Sequence, residues 1–74
     1  MKFRLTARND IRSQKNLMKI ILKKGESIVY EDSGFYGGIP MLDKMKDSIT
    51  RQLGDEPSFG WSNNAQEFFD IKPL

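Results

Sequence analysis

The fold turns on Leu17-Met18-Lys19-Ile20-Ile21-Leu22-Lys23-Lys24-Gly25-Glu26-Ser27-Ile28-Val29-Tyr30-Glu31, residues 17–31. Its first half accepts either period. At 100° per residue, Arg12, Lys15, Lys19 and Lys23 fall in one stripe, Met18, Ile21 and Leu22 lie on another flank, and Gly25 caps a helix. At period two, Met18, Ile20 and Leu22 form an apolar face, and Leu17, Lys19, Ile21 and Lys23 a mixed one. Ser27-Ile28-Val29-Tyr30-Glu31 follows as a β-branched run. The intervening Lys23-Lys24-Gly25-Glu26 suits a short hairpin with Gly25 in the left-handed conformation. A lone parallel pair joined by a helical crossover would make a poor sheet, so the hairpin is preferred and a helix over 17–24 is the alternative.

On the N-terminal side, Phe3, Leu5 and Ala7 alternate with Lys2, Arg4, Thr6 and Arg8, which predicts a half-buried strand. Residues 10–16 are polar apart from Ile11 and read as a turn or exposed loop. On the C-terminal side, residues 33–38 read as a flexible loop carrying Phe35 and Tyr36. Pro40 fits a first helical turn, and Met41, Leu42, Met45, Ile49 and Leu53 recur at helical spacing until Gly54. Asp43 before Lys46 and Asp47 before Arg51 support that helix on its other face. The tail, residues 58–74, is rich in aromatic side chains. Asn63 and Gln66 suit one helical turn, while Phe69 and Ile71 alternate as a strand would.

These elements assemble as an α+β fold, a small single domain spanning residues 1–74. A three-stranded antiparallel sheet lies within 2–31, the helix 40–53 packs on one face, and the tail closes an edge, with a fourth C-terminal strand as its other option. The expected core is Phe3, Leu5, Met18, Ile20, Leu22, Ile28, Tyr30, Met41, Leu42, Met45, Ile49 and Leu53, with part of the tail. A chain of 74 residues has room for one core only, so most of its apolar residues serve folding.

The absence of cysteine and histidine removes disulfides, Cys/His zinc sites, thiol nucleophiles and imidazole bases. Serine and threonine are left without a histidine to activate them. The adjacent carboxylates Glu31-Asp32 and Asp55-Glu56 have no metal-loop spacing, and residues 34–38 lack a Gly-Lys-Ser/Thr ending. A non-enzymatic protein without cofactor or metal is expected. Met1-Lys2-Phe3-Arg4-Leu5 leads into no apolar run of signal-peptide or membrane-spanning length, which points to a cytoplasmic protein with no membrane partner.

A net charge of +2 conceals an asymmetry. Residues 1–24 carry a net +7, with Asp10 as their one acid, and residues 25–74 carry −5. With residues 17–23 as a strand, the outer sheet face would display Lys2, Arg4, Thr6, Arg8, Leu17, Lys19, Ile21, Lys23 and Val29. The candidate partner-binding residues are Lys2, Arg4, Arg8, Lys19 and Lys23 on this cationic face, with Phe35 and Tyr36 as aromatic anchors. An acidic protein surface is the expected partner. Nucleic acid is the alternative, although the face has no aromatics interleaved with its cations for stacking on bases. The expected function is a small protein-binding module, an inhibitor or adaptor of the sort phages and mobile elements encode, that occupies a partner's surface.

Overall fold

Two runs of chain, residues 2–13 and 19–31, lie antiparallel along their length as one long hairpin bent in the middle. The computed structural model describes residues 2–32, 42–60, 62 and 64–74. Beyond the bend from the reversal, β1 (Lys2–Ala7) pairs with β4 (Ser27–Glu31), with Phe3 opposite Tyr30 and Leu5 opposite Ile28. On the reversal side, β2 (Ile11–Ser13) pairs with β3 (Ile20–Leu22). Backbone bonds carry the pairing into the bend: the Ala7 N–H donates to the Glu26 carbonyl at 2.9 Å and the Gly25 N–H to the Ala7 carbonyl at 2.8 Å. Polar side chains secure the bend, Asp10 Oδ1 accepting from the Lys24 N–H at 2.9 Å and Glu26 Oε1 from the Lys23 N–H at 2.7 Å. Gly25 has a φ of 88°, the left-handed value expected of it. It serves a corner between sheets, however, and the chain reverses at residues 14–18.

This arrangement upholds strand over helix for part of residues 17–24 and corrects the pairing. β3 lies beside β2, not β4, and the expected loop at 10–16 contains a strand. Two of the expected core residues are also corrected, since Met18 is 88% exposed and Ile20 36%. Met18 belongs to the reversal rather than to a strand, and for Ile20 the cause is a bulge. Ile11 faces Leu22 but Arg12 faces Ile20, so Ile21 is an extra residue that breaks the alternation and replaces Ile20 against the core.

The C-terminal half adds a third strand to each end of the hairpin. β6 (Phe69–Pro73) pairs with the free side of β1, setting Ile71 opposite Leu5 and Phe69 opposite Ala7. The short β5 (Pro57–Ser58) pairs with β2. The result is two three-stranded antiparallel sheets, ordered β4-β1-β6 and β3-β2-β5, in place of one sheet within 2–31. Both readings of the tail are realised in succession, a helical turn at 65–67 and then the strand β6, and β1 becomes a central strand. The helix α1 (Leu42–Leu53) contributes Leu42, Met45 and Ile49 to the core and ends at Gly54, whose φ is 72°. Gln52 Nε2 donates to the Val29 carbonyl at 2.7 Å and ties the helix to β4.

One apolar cluster joins both sheets to the helix and tail: Phe3, Leu5, Ala7, Ile11, Leu22, Tyr30, Leu42, Met45, Ile49, Phe59, Ala65 and Phe69. Ile28 and Leu53 pack against it partly buried. Phe59 sits 4.8 Å from Phe68 and meets Phe69 edge-on at 6.0 Å, ring centre to ring centre. A single 3-10 turn (Ala65–Glu67) precedes β6, capped by Asn64 Oδ1 accepting from the Gln66 N–H at 3.1 Å. The expected helix start at 40–41, core residue Met41, and the anchors Phe35 and Tyr36 lie outside the described residues.

Candidate functional site

The structure divides the candidate cations between two places. Alternation along β1 turns Lys2, Arg4 and Thr6 outward. Beside them, β4 places Glu31 opposite Lys2 and Val29 opposite Arg4, while β6 places Lys72 opposite Arg4 and Asp70 opposite Thr6. Arg8 donates to Asp70 Oδ1 through Nε at 3.0 Å and Nη2 at 2.9 Å. Exposed pairs of this kind are worth about 0–1 kcal/mol, but they dilute the charge. The outer face is thus mixed in sign, because β6 and β4 bring acids to it. Lys19 and Lys23 are not on it. They belong to the other end of the hairpin and to the bend.

The second place is the hairpin apex, residues 14–18, and it is built from Ser13. This serine is fully buried, and its Oγ uses all its bonding capacity: it donates to Asp55 Oδ1 at 2.9 Å and accepts from the Lys15 and Asn16 N–H groups at 3.2 and 3.3 Å. Asn16 makes the turn. Its carbonyl accepts from the Lys19 N–H at 2.9 Å and its side-chain Oδ1 from the Met18 N–H at 3.1 Å. Arg12 Nη1 reaches across to the Leu17 carbonyl at 3.1 Å, and the Gln14 N–H donates to the Glu56 carbonyl at 2.8 Å. The Asp55 carboxylate, immediately after the glycine that ends α1, receives Lys19 Nζ on its other oxygen at 3.2 Å.

Asp55 is therefore a clamp on the apex, and its hydrogen bond from Ser13, then that from Lys19, hold its carboxyl below the usual range. A carboxylate whose folded value is lowered adds stability that is complete above its unfolded value, about 3.9, and is lost as pH falls through the folded value. Urea unfolding midpoints measured at descending pH are expected to fall less steeply for Asp55→Asn than for the wild type below about pH 4. Equal slopes would mean that Asp55 does not clamp the loop.

This braced apex presents apolar side chains to solvent. Leu17 is 61% and Met18 88% exposed, with Ile20 beside them and the exposed cations Arg12, Lys15 and Lys19 around them. Among the described residues, Asp55 is the acid bonded into the apex through its side chain; the neighbouring Glu56 carboxylate is directed to Lys46 Nζ at 3.0 Å. Of the candidate residues read from sequence, Lys19 lies here, while Arg12, Lys15, Leu17 and Met18 complete the patch. The available signal was Asn16, a turn former between two apolar groups, masked by the period-two match of Met18 to Ile20 and Leu22.

A small hollow lined by Gln14, Asp43, Lys46, Phe59 and Ser62 lies near the base of the apex. No cluster of carboxylates that could hold a metal ion occurs among the described residues, and no described helix is long and apolar enough to cross a membrane. Compared with known protein families, with characterised proteins and with solved structures, the chain matches none.

Proposed function

We propose that this protein is a small non-enzymatic binding module that acts by occupying a surface of another protein, with the hairpin apex as its contact element. The observation that carries this reading is the pair Leu17 and Met18, exposed on a loop whose backbone is already tied down. A domain this short has few large apolar side chains to spare, and exposing two in sequence on an ordered turn is costly for solubility and useful for recognition. The alternation of charge on the outer face of β1 makes that face the weaker candidate.

The test is site-specific crosslinking. With the photoreactive benzoylphenylalanine in place of Met18, the full chain is expected to form a protease-sensitive adduct in a lysate of its native host. The same group in place of the exposed Lys44 on α1 is expected to form none, and unlabelled wild type should compete where Met18→Asp does not. Equal adducts from both positions, no adduct, or an adduct destroyed by nuclease would each refute the reading.

A further inference from the structure

We infer that the apex is shaped for an acidic cleft with an aliphatic floor on the partner protein, a deepening that rests on the binding-module reading above. The centre of the patch is Leu17 and Met18, and its rim is Arg12, Lys15 and Lys19. Asp55 offsets part of that rim, since it bonds Lys19 at 3.2 Å, but the remaining charge is positive. A partner that desolvates the rim must return negative charge to it, and one that buries the centre must be apolar there.

Shape argues for a cleft. A five-residue apex laid on a flat surface covers far less than the roughly 800 Å² per partner that stable interfaces use, whereas walls around a projecting turn meet it on several sides. Met18, unbranched and polarisable, adapts to an irregular floor. The cost of ordering is small because Ser13, Asn16, Arg12 and Glu56 already hold the loop backbone. Nucleic acid fits the patch poorly, since its centre offers aliphatic side chains where bases stack on aromatic rings, and the few rim cations alone neutralise few phosphates. A lipid surface fits poorly as well, because two aliphatic side chains and a short rim fall short of the apolar area and charge of an interfacial anchor.

The isotopically labelled full chain can be titrated with four probes while backbone amide shifts are followed. The probes are an acidic helical-hairpin peptide whose Glu-lined groove has a floor of Leu, the same peptide with every Glu replaced by Lys, an oligothymidylate, and phosphatidylserine-containing vesicles. The acidic peptide is expected to shift residues 12–20 selectively, to bind at least about tenfold more tightly than its lysine counterpart, and to weaken with salt. Met18→Asp and Lys15→Glu, both at exposed positions, should each weaken it about tenfold without changing the rest of the spectrum. Equal binding of both peptides, shifts elsewhere, no peptide binding, or tighter binding of the oligonucleotide or vesicles at the apex would overturn the inference. If crosslinking at position 18 succeeds while the peptide preference fails, the binding-module reading stands and the acidic cleft falls. If crosslinking also fails, both fall.

Discussion

Phe69→Ala is expected to remove a large share of the protein's stability and to lower its urea midpoint well below that of Phe68→Ala. Phe69 has no solvent exposure, lies opposite Ala7 on the strand that makes β1 central, and meets Phe59 edge-on at 6.0 Å. Truncating a buried Phe to Ala costs about 3–5 kcal/mol, because contacts are lost and the cavity closes only partly. At about 0.05–0.15 kcal/mol per residue, a domain of 74 residues holds about 4–11 kcal/mol in all, so one ring accounts for a large share of it. Phe68→Ala, at a partly buried position on the same aromatic cluster, should cost less. Circular dichroism with urea titration separates the two. A cooperative transition for Phe69→Ala within a few tenths of the wild-type midpoint would show that the tail closes an edge without building the core.

How much of this was legible in the sequence depends on the kind of signal. β1 was readable because Phe3, Leu5 and Ala7 keep strict alternation, and the helix was readable because Leu42, Met45, Ile49 and Leu53 keep its period up to Gly54. β2 was not. Its three residues include a buried serine whose reason for burial is an aspartate 42 positions away, and no local pattern encodes such a bond. The bulge at Ile21 is equally silent, since Ile20, Ile21 and Leu22 are all apolar and either register looks correct. The corner was misread for a different reason: Asn9-Asp10 and Lys24-Gly25 carry turn chemistry, but they face each other across the bend of one hairpin. The expected cationic face is divided because Lys19 and Lys23 lie off it, and because Asp70, the acid that pairs with Arg8, arrives on a strand 62 positions further along the chain.

Ser13→Ala should expose the dependence of the candidate site on that silent serine. The substitution leaves the Lys15 and Asn16 N–H groups without their acceptor and Asp55 without one of its donors, at a partly buried site around a fully buried serine. Stranding buried polar groups costs about 1–3 kcal/mol, so the urea midpoint should fall clearly while the fold survives. Hydrogen exchange at Lys15 and Asn16 should accelerate more than exchange in β1, because the damage is local. Met18→Ala is the complementary change. At an 88% exposed position it should leave stability within about 0.5 kcal/mol of wild type and still weaken partner capture. Ser13 is too deeply buried to touch a partner, so any loss of binding in Ser13→Ala must come from a loosened apex that has to be ordered again on contact. Wild-type capture by Ser13→Ala, with its loop amides exchanging freely, would mean that the partner does not use the braced conformation, and the argument that the loop is pre-organised for binding would fail.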